Sequence, residues 1–372
     1  MKIGIVRETA PGERRVAVIP ETVKKLTAKK FEFLFEPGAG MGSSFPDDEY
    51  TAAGAKISMD VWSEADTIAK VQKPAPEEVA KLREGGALVS TLYPLFNPDL
   101  VKALAARKVM AISLDMIPRT TLAQSMDVLS SQANLAGYYA VVYGASRLPK
   151  IFPMLMTAAG TITPAKVLVM GAGVAGLQAI GTAKRLGAVV EATDVRPETK
   201  EQVESLGGRF LQVTGVEVKT GQGGYAAEQS EEYKKKQAEM IAGAISKADV
   251  VITTALIPGR RAPILVTDAH LKSMRPGSVV VDLAAEQGGN VEGCVAGQDA
   301  EKHGVKICGL VNVPSAVAAH ASMCFSRNIE KLLVHVTKDG AWNINLDEEI
   351  TKGCVIAREG EIVQAKVKEA VK

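Results

Sequence analysis

The sequence predicts an α/β protein of two doubly wound parallel-sheet domains with a cleft between them. Three observations lead there. Strand-like apolar runs alternate with helix-compatible segments, this rhythm occurs twice, and two long helical stretches stand where the chain would pass between the two sets. With 372 residues, 47% of them hydrophobic, the chain can fill two ordinary cores. A net charge of +2 gives no sign of a nucleic-acid or membrane-surface partner. Cys294, Cys308, Cys324 and Cys354 show no C-x-x-C spacing, which argues against a zinc site or disulfide framework and for a reducing cytoplasm.

The opening "MKIGIVRE" has too short an apolar run for a signal peptide and reads as a strand. "FEFLFE", "DTIAKV", "ALVSTL" and "VMAISLD" continue the first set, with helices expected in "ETVKKLTAKK" and "PEEVAKLREG". Such alternation implies parallel strands covered by helices. The glycines of "EPGAGMGSSFPDD" read as a turn, because prolines interrupt their flanks. A helical bridge is expected from about Ser130 to Phe152. The second set follows as "KVLVMGAG", "AVVEATD", "RFLQV", "ADVVITTA", "GSVVVDLA" and "VKICGLVN", a complete Rossmann-like series. Its uncharged stretch "VLVMGAGVAGLQAIGTA" falls short of the roughly 20 apolar residues of a membrane span, so the chain is expected to be soluble. After Val313-Pro314, "SAVAAHASMCFSRNIEKLLVHV" reads as a helix crossing back. The expected domains are therefore 1–129 plus 314–372, and 130–313. The tail "ITKGCVIAREGEIV" reads as a hairpin with no assigned place.

The strongest chemical motif is Gly171-Ala172-Gly173-Val174-Ala175-Gly176, which follows a strand, opens a helix and precedes a second strand ending at Asp194. Gly171 permits the tight turn, Gly173 lets a pyrophosphate approach the helix N-terminus, and Gly176 allows close helix-to-strand packing. Asp194 suits the adenosine ribose hydroxyls and repels a 2′-phosphate, which favours NAD(H). Arg196, just past the strand, is the kind of residue that holds a 2′-phosphate in NADP enzymes. Farther on, "TGVEVKTGQGGYAAEQSEEY" is a long glycine-rich insertion around Tyr225. It reads either as a lid closing on nucleotide or as a surface loop whose tyrosine does nothing.

A second constellation is "RTTLAQSMD", which gathers Arg119, Gln124, Ser125 and Asp127 but no histidine, lysine or cysteine. A hydroxy-acid or amino-acid dehydrogenase moves a proton with its hydride and needs a general acid or base. His270 and His303 fall between strands of the second set, and His320 and His335 lie on the returning helix. Hydride transfer between two nicotinamides moves no substrate proton and needs only orientation and polar anchoring. Arg119, Gln124 and Asp127 suit that task. The competing reading is a capped loop before a helix, with Arg119 and Asp127 paired locally.

The chain resembles domain I, the NAD(H)-binding component of the proton-translocating nicotinamide nucleotide transhydrogenase family, here as a separate alpha chain. The resemblance runs through "RETAPGERRVAVIPETVKKL", "PRTTLAQSMDVLSSQANLAGYYAV", "MTAAGTITPAKVLVMGAGVAGLQAIGTAKRLGA", "TKEQVESLGG", "ITTALIPGRRAPILVT" and "MRPGSVVVDLAAEQGGN", which together reach across nearly the whole chain. It implies that Arg119, Gln124, Asp127 and Ser130 hold the nicotinamide and its ribose, with Gln124 reaching toward the NADP(H)-bearing partner. It also implies that Gly171 to Ala175, Asp194 and Arg196 take the pyrophosphate and adenosine, that Tyr225 closes on nucleotide, and that Ala255 and Leu256 line the nucleotide cleft. The implied partners are an NADP(H)-binding domain, membrane proton-channel subunits and a second copy of the chain. The implied location is cytoplasmic, at the inner membrane.

The fold is also similar to the alanine dehydrogenase family. That family's substrate lysine, catalytic histidine and aspartate correspond here to Gln72, Tyr93 and Glu286, while Arg15 is retained. Those departures disfavour amino-acid oxidation, and Arg15 is left either inherited or paired with a carboxylate of its own domain. A third class is a non-catalytic NAD(H) sensor that signals by cleft closure.

Overall fold

The computed structural model describes residues 1–213, 230–256 and 261–371. They form two compact units, Met1–Gln132 with Pro314–Lys372, and Ala133–Val313.

The first unit is built on an eight-stranded sheet in the order Glu361–Ile362, Val355–Arg358, Met110–Ser113, Ala87–Ser90, Thr67–Ala69, Lys2–Ile5, Glu32–Phe35, Lys56–Ile57. All pairings are parallel except those of the terminal hairpin. The central strands Ala87–Ser90 and Met110–Ser113 are buried at every position, as parallel strands covered on both faces must be. The tail hairpin acquires its place here: Val355–Arg358 lies antiparallel on Met110–Ser113 and closes that edge. Glu359 and Gly360 both have positive φ, which suits the tight two-residue turn.

The second unit carries a seven-stranded sheet in the order Arg209–Phe210, Val189–Thr193, Lys166–Met170, Val250–Thr253, Val279–Asp282, Val305–Gly309, Asp299–Lys302. The six expected strands are parallel, and the added seventh, Asp299–Lys302, is antiparallel at the edge. Chain order reverses at Lys166–Met170, which has Val189–Thr193 on one side and Val250–Thr253 on the other. Open α/β sheets bind ligands at the carboxyl end of such a switch point. A further hairpin, Leu155–Thr157 with Gly160–Ile162, was not expected; every residue of its two strands is exposed.

The glycine run after Glu32–Phe35 is a turn, as expected, and a tightly packed one. A Cβ on Gly42 would lie 2.6 Å from the Arg14 carbonyl oxygen. The irregular segment through Arg15 has no ladder for its N–H groups, so side chains must accept them. The helix Ala318–Val336 presents two serines one turn apart on one face. Ser322 Oγ accepts from Val16 N–H at 2.9 Å and Ser326 Oγ from Ile19 N–H at 3.0 Å. Among the described residues, no helix is long and apolar enough to cross a membrane.

Candidate functional site

In the second unit the glycine motif is shaped by contacts with its neighbours. Gly171 sits at φ +107, a region that favours glycine, and its N–H donates to the Thr193 carbonyl. A Cβ on Gly176 would lie 1.8 Å from the Gly171 oxygen, so this position admits no side chain. One on Gly173 would meet nothing within 4 Å. Gly173 is the N-cap of the helix Val174–Arg185, and no side chain caps it. Its open side therefore faces a ready site for an anionic group, made of unpaired helix N–H groups and the positive dipole end.

Asp194 follows the neighbouring strand and reaches back to the motif. Its Oδ2 accepts from Ala172 N–H at 2.7 Å and from Arg196 Nη2 at 2.9 Å, while Oδ1 accepts from Arg196 N–H at 2.8 Å and Nε at 2.9 Å. Burial works to raise its pKa, but the bonds from Arg196 and from backbone N–H groups outweigh burial and hold the carboxyl below its ordinary range. It is an anion at neutral pH.

Ala255, in the loop after Val250–Thr253, is brought beside the same turn, and Leu256 is exposed. Both main-chain polar groups of Ala255 are clamped by one buried amide: Asn290 Oδ1 accepts from its N–H at 3.0 Å and Asn290 Nδ2 donates to its carbonyl at 2.9 Å. Asn290 N–H in turn donates to the buried Asp282 at 2.7 Å. Reading the residues in order did not single out Asn290, and only the "GGN" after a strand hinted at it. Tyr225 lies outside the described residues.

In the first unit, "RTTLAQSMD" runs from a buried strand to the helix Val128–Arg147. Arg119, Gln124 and Ser125 are exposed, and Asp127 is half-buried. Asp127 caps the helix, accepting from Ser130 N–H at 2.9 Å and Ser130 Oγ at 2.6 Å. The expected cap is present, but Asp127 pairs with Ser130 and not with Arg119. Asn328, on the helix Ala318–Val336, donates from Nδ2 to the Ser125 carbonyl at 2.8 Å and accepts from Ser131 Oγ at 2.7 Å. The loop is thus held from below while Arg119 and Gln124 stay outward. Replacing Asp127 by alanine is expected to cost about 1 kcal/mol in urea unfolding, while Asp127→Asn keeps most of the cap.

Two family models match, the alanine dehydrogenase/PNT N-terminal domain over residues 4–136 and the C-terminal domain over 140–365. The chain belongs to the alanine dehydrogenase/PNT family. Within that family it is 52% identical to the first section of a divided NAD(P) transhydrogenase subunit alpha from Rhodospirillum rubrum, over 98% of both chains. A solved transhydrogenase from Sinorhizobium meliloti superposes with a TM-score of 0.91 at 46% identity, covering 98% of this chain and 100% of that one. The alanine dehydrogenase of Bacillus subtilis is 31% identical over 92% of this chain and 87% of its own. This alanine dehydrogenase/PNT protein is therefore an oxidoreductase of the transhydrogenase alpha-subunit type.

The retained Arg15 of this alanine dehydrogenase/PNT chain is engaged by its own neighbours. Glu13, whose side chain has no exposed surface, accepts from Arg15 Nε at 2.9 Å and Nη2 at 2.7 Å. Arg15 Nη1 donates to Gln132 Oε1 at 2.9 Å, and Gln72 Nε2 donates to Glu13 at 2.8 Å. The expected carboxylate of its own domain is Glu13. Tyr93 and Glu286 are exposed. The histidines do structural work where bonds are described: His270 closes a capping box with Thr267, His303 pairs with Asp268, and His335 with Glu348.

Proposed function

We propose that this chain is the NAD(H)-binding component of a proton-translocating transhydrogenase. In this reading it presents NADH for direct hydride transfer to NADP⁺ held on a partner domain, and separate membrane subunits couple the transfer to proton translocation. Arg119, Gln124, Asp127 and Ser130 anchor the nicotinamide and its ribose, Gly171 to Gly176 cradle the pyrophosphate, Asp194 and Arg196 meet the adenosine ribose, and Ala255 and Leu256 line the site. The residues fit such a cofactor: an open, uncapped helix N-terminus at Gly173 stands beside an ionised Asp194. Bound NADH supplies the hydride.

The observation that carries this reading over alanine oxidation is the Glu13–Arg15 pair. A substrate carboxylate needs a cation to bind, and here an internal carboxylate already forks onto it. The loop of Arg119, Gln124 and Asp127 needs to orient a ring and not to move a proton. A homodimer at the inner membrane, facing the cytoplasm, belongs to the same proposal. Its support is the isolated hairpin of residues 155–162: two strands alone are marginal in water, and Met154 and Met156 stand 59% and 76% exposed.

The test mixes the chain and NADH with an NADP⁺-loaded partner domain and separates NADPH chromatographically, with pyruvate plus ammonia in a parallel arm. NADPH is expected only with the partner present. NADH oxidation by pyruvate and ammonia alone overturns the proposal in favour of an amino-acid dehydrogenase, and silence in both arms favours a sensor. Gln124→Ala is expected to slow transfer roughly tenfold, about 1.4 kcal/mol, with NADH affinity held within about twofold.

A further inference from the structure

Asp194 has no acceptor position to spare. A carboxylate offers about four lone-pair positions, and this one receives the N–H of Ala172, the N–H of Arg196, and Nε and Nη2 of the same arginine. The two backbone donors are fixed by the glycine turn and the strand end. The other two form a guanidinium fork bridging both oxygens. A vicinal ribose diol presents the same valence, two parallel O–H donors spaced to bridge a carboxylate. The Asp194 side chain is 5% exposed and that of Arg196 40%, so the guanidinium covers the carboxylate and is free to swing into water.

We propose that Arg196 is a built-in competitor for the adenosine ribose, a specificity-determining residue whose guanidinium occupies the two carboxylate positions that a nucleotide's 2′,3′-diol takes. The proposal rests on the reading of Asp194 as the ribose acceptor. A nucleotide with a free diol binds by exchanging one pair of donors for another, while Ala172 and the Arg196 backbone hold the carboxylate in place. The net gain from the diol is then small, and affinity comes mainly from the diphosphate at the helix N-terminus. Removing the fork makes the diol's contribution visible.

The test is calorimetric titration of the full chain with ADP and with 2′-deoxy-ADP, for the natural protein, R196K, R196A and D194N. The ratio of the two dissociation constants isolates the 2′-hydroxyl, because both probes carry the same diphosphate charge. It is expected to be within about twofold for the natural protein and to rise to roughly tenfold in R196A and severalfold in R196K, which keeps the charge but cannot fork. An equal ratio in the natural protein, R196K and R196A overturns the proposal. If D194N still weakens ADP in that case, Asp194 accepts the ribose without competition and the cofactor reading stands. If D194N leaves ADP unchanged and 2′-deoxy-ADP always binds as well as ADP, the ribose reading falls with the proposal.

Discussion

Alanine at position 173 is expected to leave the protein folded and to weaken NADH binding roughly 30-fold or more, whereas alanine at position 176, in the same turn, damages the fold itself. The contrast comes from two distances. A methyl group on Gly173 meets no protein atom within 4 Å, and the residue's φ of −78 suits any L-amino acid, so folding is not penalised. The methyl instead fills the space through which a phosphate must approach the helix N–H groups. Losing one or two charge-assisted hydrogen bonds there costs about 1.5–3 kcal/mol each. On Gly176 the methyl would lie 1.8 Å from a backbone oxygen and 2.8 Å from its carbon, with no flexible group able to move aside. Overpacking of that kind costs about 3 kcal/mol or more. Thermal unfolding and fluorescence titration of both variants check the pair; normal binding by the Gly173 variant would show that no phosphate rests on this helix.

Replacing Glu13 by alanine is expected to destabilise the first unit by about 3–5 kcal/mol, because Arg15 would remain buried without its forked carboxylate. The arginine side chain is 7% exposed and that of the glutamate 0%. Burial alone would raise the Glu13 carboxyl, but the Arg15 hydrogen bonds and charge, with Ser315 and Gln72, bring it down to about 2. Its folded pKa lies below its unfolded one, so its contribution is complete above about pH 4.5 and is lost as pH falls toward 2. Glu8 acts in the opposite sense. Burial raises it to about 7 against the attraction of Lys70, so its contribution is complete below pH 4.5 and fades as pH rises through 7. Urea unfolding of Glu13→Gln between pH 3 and 8 should show a shallower acid slope than the natural protein. An unchanged slope would mean that Glu13 does not carry the acid sensitivity.

Both parallel sheets were legible because a strand covered on two faces is written as a continuous apolar run, and because Gly171 to Gly176 encode a turn that depends on nearby chain alone. Asp299–Lys302 reads "DAEK" and Lys56–Ile57 is two residues long, so neither edge strand had a pattern to read. The hairpin of residues 155–162 was hidden for a related reason: its exposed strands show no alternation of buried and solvated positions. Asp127 and Ser130 were legible as a cap, since both partners lie within one turn. Asn328 was not, because its bond to Ser125 joins residues 203 positions apart. Asn290 and Glu13 were missed likewise, as each gains its meaning from a partner brought in by folding or from the burial that surrounds it.

The serines and Asn328 of the helix Ala318–Val336 also impose a timetable on synthesis. The second unit is one continuous stretch, Ala133–Val313, and can complete its sheet as soon as it leaves the ribosome. The first unit cannot. Its irregular segment at Val16 and Ile19, its polar loop at Ser125, and the edge strand at Met110–Ser113 all wait for partners encoded after Pro314. At about 5–20 residues per second, the amino-terminal segment spends some tens of seconds with those groups unsatisfied. The unit that begins translation is thus the last to finish folding, and during that interval it is the natural client of chaperones.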